Sequence, residues 1–370
     1  MTAITVAVNA HLLSGQAGYR RAGIHHYMTQ LLRHLPLDGL EATIFTNDDG
    51  RELADTGLTI RSTRWPTGTP YGRILWEQLA WPWQLRQFDL LHSMAFVTPL
   101  AAPCPAVVTV YDLSFLHYPD RFPRFQRHYL TSQTRRSCRA ARRVITISES
   151  GRQDVHDYFG LPLERIMVVR PGVDAVFQPL PAAQVEAFRR RESLPAQFLL
   201  HVGTLQPRKN IPLLLEALAR LDRPDLQLIL VGGKGWLYDA IFSQVTALGL
   251  ESQVRFAGYV ADSDLPLWYN AATLLLFPSV YEGFGLPVAQ AMACGTPVAA
   301  ANVAAMPEVA GEAALLFAPD DVDAVVARIT AVLDDSHLAA ALTAKGIIQA
   351  QQFSWAESGQ ALAAVYQSAL

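Results

Sequence analysis

The stretch Tyr281-Glu282-Gly283-Phe284-Gly285-Leu286-Pro287 decides the fold of this 370-residue chain. It follows an apolar run, residues 273–277, that is typical of a buried parallel strand. Pro287 stands where a new helix would begin, a position at which the missing N–H of proline costs nothing. A strand, a two-glycine turn and a helix start place uncovered N–H groups and the positive end of a helix dipole together. The stretch therefore predicts an α/β fold with an anion site at this turn.

Two further features of the same half of the chain indicate the ligand. Glu282 lies in the turn itself, and because an acid cannot hold a diphosphate we expect it to face hydroxyl groups. Arg208 and Lys209 are adjacent in a loop between a predicted strand and helix, where a guanidinium fork and an ammonium suit a diphosphate. Such a basic pair is by itself more often a solvated helix start, but the predicted anion site favours binding. A diphosphate beside a polyol indicates a nucleotide sugar.

Composition sets the broad class of the protein. The length exceeds the size at which one core usually stops growing, so two domains are expected. Apolar residues make up 51% and charged residues 17%, which excludes a disordered chain. Three scattered cysteines argue for a reducing compartment. The sequence shows neither a signal segment nor an apolar run long enough to span a bilayer, so we expect a cytoplasmic protein, soluble or membrane-associated.

Short β-branched runs alternate with longer helical patterns almost throughout, as in parallel sheets with crossover helices. The pattern predicts two Rossmann-like domains facing across a cleft, residues 1–172 and 173–352, and a separate C-terminal helix at 353–370. Packing of this helix back across the first domain is one option that the sequence leaves open. Strands are predicted at 4–9, 42–45, 90–92, 106–110, 143–147, 198–202, 226–231, 254–256, 273–277 and 297–300. Residues 168–174 are predicted as an exit strand that runs into a turn at the domain boundary. Helices are predicted at 23–35, 73–86, 124–139, 150–159 and 211–221.

The positive charge of the first half is concentrated at residues 121–143, from Arg121 to Arg143. This segment holds eight arginines and no acid, with three aromatic residues between them. Two interpretations stay open: a solvated helix face, or a surface that meets anionic lipid headgroups or a phosphorylated acceptor. Nucleic acid is not expected as a partner, because the whole chain has a net charge of −3 and no nucleic-acid motif accompanies the segment.

Several weaker patterns each have two interpretations, one structural and one functional. The glycine cluster at 232–235 is either a tight turn or a phosphate cradle, and it lacks the ending of a P-loop. Gly258-Tyr259-Val260 is either an ordinary loop or a pocket for the nucleotide base. The triplets at 262–264 and 321–323 have the Asp-x-Asp form, which we interpret as helix caps rather than metal ligands.

The second half resembles the donor-binding half of glycosyltransferase family 4, whose members are retaining enzymes of the GT-B fold. The segments that carry the resemblance are VGTLQPRKN (202–210), VGGKGW (231–236), FAGYV (256–260), FPSVYEGFGLP (277–287), AMACGTPV (291–298) and MPEVAG (306–311). The forms of the first two are similar to the subgroup dominated by mannosyltransferases. The first half fits more loosely, through Gly23, VVTVYDL (107–113) and ITISES (145–150).

The resemblance implies a role for each site residue. Arg208 and Lys209 would hold the donor diphosphate and stabilise the departing nucleotide, Glu282 would bond the transferred sugar, and Asp112 would belong to the catalytic group. The donor would be bound by Gly203, Thr204, Gly258, Tyr259, Val260, Gly283, Phe284, Gly285, Leu286 and Gln290. The acceptor or sugar side would include Gly23, His25, His92 and Tyr111. Such enzymes use protein cations, so no metal and no cofactor beyond the nucleotide sugar is expected.

Three positions depart from the family pattern. Gln290 replaces a glutamate that holds the ribose, and an amide lacks the charge-assisted bonds of a carboxylate. Thr204 stands where many members have an arginine, whose charge Arg208 would then supply. Tyr111 replaces a histidine that contacts the donor sugar.

The sequence therefore predicts a retaining hexosyltransferase of polysaccharide or glycoconjugate biosynthesis, with GDP-mannose as the first candidate donor and a glycan or lipid-linked acceptor. Acceptor contacts are expected near residues 15–26 and 96–99. Two alternatives stay open: a sugar-nucleotide epimerase of the same architecture, and a catalytically weak binding protein of the same fold. Release of free nucleotide without an acceptor would favour the epimerase.

Overall fold

The computed structural model describes residues 3–13, 23–47, 50–63, 65–119, 123–235 and 238–370. The chain divides into two compact units. The first unit comprises residues 1–172 together with 355–370, and the second comprises residues 173–354. Each unit has its own sheet and its own core.

The first unit is built on a parallel sheet of seven strands in the order β3-β2-β1-β4-β5-β6-β7. The strands are β1 (Ile4–Asn9), β2 (Leu40–Thr46), β3 (Thr59–Ser62), β4 (Leu90–Ser93), β5 (Ala106–Val110), β6 (Arg143–Thr146) and β7 (Ile166–Val168). Its helices up to residue 159 are α1 (Ile24–Arg33), α2 (Pro70–Leu75), α3 (Trp81–Gln84), α4 (Ser114–His117), α5 (Arg124–Ala140) and α6 (Glu149–Phe159). A π-helical segment, Trp76–Ala80, joins α2 to α3 without a break.

The second unit repeats the plan with six parallel strands in the order β10-β9-β8-β11-β12-β13. The strands are β8 (Phe198–Val202), β9 (Gln227–Val231), β10 (Val254–Gly258), β11 (Leu274–Phe277), β12 (Val298–Ala301) and β13 (Leu315–Phe317). The helices are α7 (Ala182–Glu192), α8 (Ile211–Leu221), α9 (Asp239–Ala247), α10 (Leu265–Ala271), α11 (Leu286–Ala293), α12 (Met306–Ala310), α13 (Val322–Asp334) and α14 (Ser336–Ala350).

The final helix, α15 (Trp355–Ser368), belongs to the first unit, where it packs against α1. Trp355 lies against Tyr27 of α1, with ring centroids 5.9 Å apart. The Tyr366 hydroxyl and Nδ1 of His92 on β4 are 2.8 Å apart, and both residues are fully buried. The chain therefore leaves the first unit after residue 172 and returns to it at residue 355.

The cores follow from the residue types of the strands. The central strands of both sheets are mostly apolar and are buried on both faces, because helices cover both sides of a parallel sheet. Gly232 and Gly285 are among the positions that accept only glycine. A Cβ at Gly232 would lie 2.1 Å from the carbonyl oxygen of Gly203, and Gly285 has φ +103° at the start of α11.

The α/β fold with two parallel-sheet domains is confirmed, and most predicted elements are present. The helix predicted at 73–86 is wrong as a single α-helix, because the π-helical turn divides it. Two strands were missed. Thr59–Ser62 lies at a sheet edge and contains one apolar residue, and Leu315–Phe317 is three residues long, so neither gives a usable periodicity.

In each sheet the strand order reverses at one place. The reversal lies between β1 and β4 in the first unit and between β8 and β11 in the second. At such a point the loops that follow two neighbouring strands turn to opposite faces and leave a crevice at the carboxyl ends of the strands. The ionic cluster of the second unit and the cavity of the first unit lie at these strand ends.

Candidate active site

The candidate donor site lies in the second unit, beyond the carboxyl ends of β8 and β11. The loop after β8 contains a short 3₁₀ turn, Pro207–Lys209, and the loop after β11 contains Glu282. The backbone N–H of Val280 donates to the carbonyl of Arg208 at 3.0 Å, which joins the two loops. Strand order thus brings together residues 73 positions apart in the sequence.

Arg208, Lys209 and Glu282 form one ionic cluster. The Lys209 ammonium donates to Glu282 Oε1 at 2.7 Å, and an Arg208 guanidinium nitrogen lies 2.8 Å from Glu282 Oε2. Arg208 also donates to the Tyr281 carbonyl at 2.7 Å. Each carboxylate oxygen therefore meets a cation, and the cluster keeps one net positive charge.

The cluster is buried, and the pKa values of its members shift accordingly. Burial alone raises the pKa of Glu282, but the charges of Arg208 and Lys209 and their hydrogen bonds outweigh it and bring the pKa down to about 2. Burial lowers the pKa of Lys209, as does the charge of Arg208, while Glu282 opposes both. The carboxylate therefore stays ionised throughout the neutral range.

Space for Lys209 is provided by a glycine. A Cβ at Gly203 would lie 3.1 Å from Cε of Lys209, closer than most real Cβ contacts. The Lys209 ammonium lies 4.8 Å from the centroid of the Phe277 ring, within the range of a cation–π contact. Gly203 thus lets the lysine side chain turn back over the end of the sheet, where Glu282 meets it.

The helix start predicted after the glycine turn is present as α11. Gly285 is its N-cap and the helix begins at Leu286, so Pro287 is its second residue. Phe284 is buried and packs edge-on against Phe353, with ring centroids 5.2 Å apart. The first turn of α11 lies directly after Glu282 in the chain, where uncovered N–H groups favour an anion.

The predicted base pocket lies at the same edge of the sheet. Gly258 ends β10 with φ +73°, and its carbonyl accepts from the N–H of Gly232 at 2.8 Å. Tyr259 is about half exposed and its hydroxyl lies 3.4 Å from Asp262. Thr204, next to Gly203, is half-buried. The glycine cluster that begins at Gly232 is therefore hydrogen-bonded to this edge of the sheet. Trp236, which follows the cluster, lies outside the described residues.

Gln290, where the family pattern has a glutamate, packs between two helices. It is buried on α11, and its side-chain oxygen accepts from the Tyr269 hydroxyl of α10 at 3.1 Å. A neutral amide fits this contact, because a carboxylate so deep in the helix interface would carry a larger desolvation cost.

Sequence reasoning missed two buried polar groups beside the ionic cluster. His201, on β8, donates from Nδ1 to the Leu276 carbonyl, 3.0 Å away, and burial lowers the pKa of His201 to about 4. His201 Nε2 and the Ser279 hydroxyl have no hydrogen-bond partner within the part of the chain that the structure describes. The periodicity of the strands gave no signal for either residue, since both follow apolar runs.

The first unit has a cavity of about 60 Å³ at its own reversal point, and its lining includes Phe96 and Val97 of the predicted acceptor segment 96–99. Asn9 donates to Glu77 at 2.9 Å, and its side-chain oxygen lies 2.9 Å from Nδ1 of His11. Burial raises the pKa of Glu77, while the charge of Arg73 and the Asn9 hydrogen bond oppose the rise. Phe96, which also lines the cavity, has φ +56°, a backbone conformation rare for bulky residues.

The residues predicted on the acceptor side are spread over the first unit. Gly23 precedes α1 with φ +68°, and His25 lies 3.5 Å from Glu52. Asp112 precedes α4 and accepts from the N–H of Ser114, the first residue of that helix, at 2.9 Å. Tyr111 is buried against Tyr27 and Phe96, and burial raises its pKa. Residues 15–22 of the predicted acceptor loop lie outside the described residues.

The prediction that His92 faces the sugar is wrong. It is fully buried on β4, and its ring nitrogens lie 2.8 Å from the Tyr366 hydroxyl and 2.8 Å from the Thr109 hydroxyl. Burial lowers the pKa of His92 to about 3, so the ring is neutral and serves to tie α15 to the sheet.

The two Asp-x-Asp triplets have different structural roles. Asp321 caps α13 by accepting from the N–H of Ala324 at 2.8 Å, as predicted. Asp264 instead pairs with Arg191 at 2.7 Å, so the capping prediction is wrong there. Across the described ranges, no group of three His, Cys, Asp or Glu residues is arranged to hold a metal ion.

The arginine-rich segment forms α5, with Arg121 outside the described residues. Three of its guanidinium groups serve the first unit itself, since Arg135, Arg136 and Arg139 donate to backbone carbonyls 3.0, 2.6 and 3.3 Å away. In the described part of the chain, no helix combines the length and apolarity needed to cross a bilayer.

Two parallel α/β units, with an ionic cluster and a helix start at a reversal of strand order, have the architecture of GT-B glycosyltransferases. The sequence comparisons agree. Residues 184–349 match the family described as glycosyl transferases group 1, and residues 21–177 match glycosyltransferase family 4. The chain belongs to glycosyltransferase family 4, in which it resembles the mannosyltransferase-like subgroup.

Relatives and solved structures agree with this assignment. The O-antigen chain mannosyltransferase B of Escherichia coli is 36% identical over 279 residues, which cover 74% of this chain and 73% of the relative. A D-inositol 3-phosphate glycosyltransferase of Thermobispora bispora is 28% identical over 99% of this chain and 94% of its own. The structure of Anabaena HepE in complex with UDP and glucose superposes with a TM-score of 0.80 at 21% identity, covering 99% of this chain and 100% of that one.

Proposed function

We propose that this glycosyltransferase moves a hexose from a nucleotide sugar to a glycan or lipid-linked acceptor with retention at the anomeric carbon. GDP-mannose is the first candidate donor, supported by the similarity to the O-antigen chain mannosyltransferase B. The observation that carries the proposal is the buried cluster of Arg208, Lys209 and Glu282 next to the start of α11.

The cluster suits both parts of a nucleotide sugar. Its net positive charge and the N–H groups of α11 attract the diphosphate, whose negative charge grows as the sugar departs. Each oxygen of Glu282 accepts one bond from a cation and keeps a lone pair for a sugar hydroxyl. Because protein cations neutralise the leaving group, we propose that no metal is needed, and chelation with EDTA should leave transfer unchanged.

The test is calorimetric titration with GDP and UDP, followed by transfer assays with GDP-mannose and UDP-glucose. Arg208→Gln combined with Lys209→Met should weaken nucleoside diphosphate binding by about 10- to 100-fold. This is the loss of affinity expected when two charge-assisted hydrogen bonds are removed. Arg220→Gln is the matched control, since Arg220 lies on the exposed surface of α8 and pairs with Asp323.

Equal binding by the double variant and the wild type would refute the diphosphate assignment. An inverted anomeric product, observed by NMR, would refute retention. Preference for UDP-glucose over GDP-mannose would show that the proposed donor is wrong, but it would not contradict the proposed position of the donor site.

A further inference from the structure

The cavity of the first unit has a hydrogen-bonded chain of three side chains in its wall. Asn9 donates through Nδ2 to Glu77 at 2.9 Å, so its side-chain oxygen is the acceptor that faces His11. The same oxygen also accepts from the backbone N–H of His11 at 3.2 Å. This network assigns the ring hydrogen of His11 to Nδ1, and Nε2 is therefore a bare lone pair.

Nε2 of His11 is buried, and none of the described residues donates a hydrogen bond to it. Burial, together with the charge of Arg73, lowers the pKa of His11 to about 3, so the ring is neutral at physiological pH. Nε2 can then act as an acceptor alone. Buried acceptors in native proteins nearly always have a partner. We therefore expect a donor group from outside the protein chain at this position.

Glu77 provides a second acceptor in the same wall. Among the described residues, Asn9 is the one side chain that donates a hydrogen bond to it. The nearest atom of Arg73 to Glu77, Nε, lies 3.9 Å from the oxygen that Asn9 already occupies, which is too long for a hydrogen bond. The second oxygen of Glu77 keeps its lone pairs for a ligand. Two acceptors side by side favour a hydroxyl group over a carboxylate or phosphate.

The volume of the cavity, about 60 Å³, limits the group that it can hold. A protein cavity of about 150 Å³ holds one benzene ring, which has about six non-hydrogen atoms. By this measure the cavity of the first unit holds two or three such atoms, too few for a hexose ring. A hydroxymethyl group, with one carbon and one oxygen, fits. Its carbon suits the apolar side chains of Leu12, Met28 and Val97, which also line the cavity.

Two backbone irregularities lie in the same walls. Phe96 has φ +56°, and Glu77 belongs to the π-helical turn. Both kinds of irregularity are frequent at functional sites. The cavity also lies where the strand order reverses, the place at which open α/β sheets bind ligands. Leu12 and Tyr129 of the lining are half-buried, so the cavity wall extends from the buried polar end to the surface.

We propose that this cavity binds the hydroxymethyl group of an acceptor hexose, whose hydroxyl donates to Nε2 of His11. The proposal rests on the proposed function and narrows its acceptor to a hexopyranose with a free primary hydroxyl. A 6-deoxy sugar would leave Nε2 without a partner. A uronic acid would place further lone pairs against Nε2 and Glu77. His11 thus selects the acceptor and has no contact with the donor.

The direct test is nitrogen-15 NMR of the full chain labelled at histidine. The probes are the methyl α-glycosides of mannose, glucose and galactose, each compared with its 6-deoxy counterpart. At least one hexoside should move the Nε2 signal of His11 upfield, since a nitrogen that gains a hydrogen bond is more shielded. The 6-deoxy counterpart should leave the signal in place. His11→Phe and His11→Gln each identify the signal by its loss.

The functional test is transfer to the hexoside that binds, from the nucleotide sugar that the enzyme uses. His11→Phe keeps a ring to pack on Trp76, 4.1 Å away between centroids, but lacks Nε2. It should raise the KM for the hexoside about tenfold, the effect of one lost hydrogen bond, and leave the KM for the nucleotide sugar unchanged. His117→Phe is the matched control, because His117 packs edge-on against Tyr158 outside the cavity.

No response of His11 to any of the three hexosides would show that the cavity holds water only and would overturn the proposal. An equal response to hexosides and their 6-deoxy counterparts would rule out the hydroxymethyl group as the ligand. A wild-type KM for the hexoside in His11→Phe would remove His11 from acceptor selection. If the protein uses no nucleotide sugar while His11 responds to a hexoside, the proposed function fails and the cavity assignment stands.

Discussion

Glu282 shows at the scale of one residue how the structure revised the expectation from sequence. From the sequence, Glu282 was expected to face the sugar while the two cations face the diphosphate, because an acid repels a diphosphate. In the structure its two oxygens are bonded to Lys209 and Arg208, and the acid thereby fixes the position of both cations. The residue types were predictable from the loops after two strands. Their pairing was not, since it depends on strand order in the sheet.

Replacing Glu282 with glutamine should damage both folding and transfer. The buried ammonium of Lys209 would lose its counter-ion, which typically costs about 3–5 kcal/mol in the free energy of unfolding. Transfer should fall by about 100-fold or more, as expected for losing a group preorganised at the reacting sugar. The measurements are urea unfolding and kcat/KM. Glu312→Gln is the control, because Glu312 meets Lys345 on the exposed surface at 3.6 Å; an unchanged Glu282→Gln enzyme would remove Glu282 from the site.

The same carboxylate should make stability depend on acid pH. Its pKa in the folded protein is about 2, below the ordinary 4.5, so its contribution is fully present above pH 4.5. That contribution is lost as the pH falls through the window from 4.5 to 2. The difference in unfolding free energy between wild type and Glu282→Gln should therefore shrink across that window. A difference that stays constant down to the lowest pH would contradict the ionic pairing.

Elements with strong periodicity were the ones that the sequence predicted well. β1, β5 and β8 have the predicted bounds, because each is an apolar run between clear turns. The π-helical turn between α2 and α3 escaped prediction, since apolar residues on both sides of a helix hide its period. The polar contact in the cavity of the first unit escaped for a related reason, because Asn9 and Glu77 meet only after the helical segment of residues 70–84 has packed on β1.

At the scale of elements, Gly232 should be irreplaceable at the end of β9. An added Cβ would lie 2.1 Å from the backbone oxygen of Gly203, so Gly232→Ala should displace the loop after β8, which carries Arg208 and Lys209. We expect a loss of about 2 kcal/mol or more in unfolding free energy and weaker nucleoside diphosphate binding by calorimetry. Gly249→Ala is the control. It has φ +67° with nothing within 4 Å, so it should cost only about 1 kcal/mol and leave binding intact.

The whole molecule has two cores, and α15 belongs to the first of them. Tyr366→Ala should remove a fully buried ring and the contact with His92, a loss of about 3–5 kcal/mol. Hydrogen exchange followed by mass spectrometry should show faster exchange in the strands of the first unit while those of the second stay protected. Ile329→Ala, in the core of the second unit, should give the reverse pattern. Uniform loosening of both sheets by Tyr366→Ala would contradict the division into separate units.

The return of α15 to the first unit has a consequence for biosynthesis. The residues that complete the core of the first unit are translated after the entire second unit. During translation, the sheet of the first unit is made before α15, the helix that completes its core. The second unit has all of its own strands and helices before α15 is made. Nascent chains halted before residue 355 should therefore hold a folded second half beside an incomplete first half, reversing the usual order in which domains fold during synthesis.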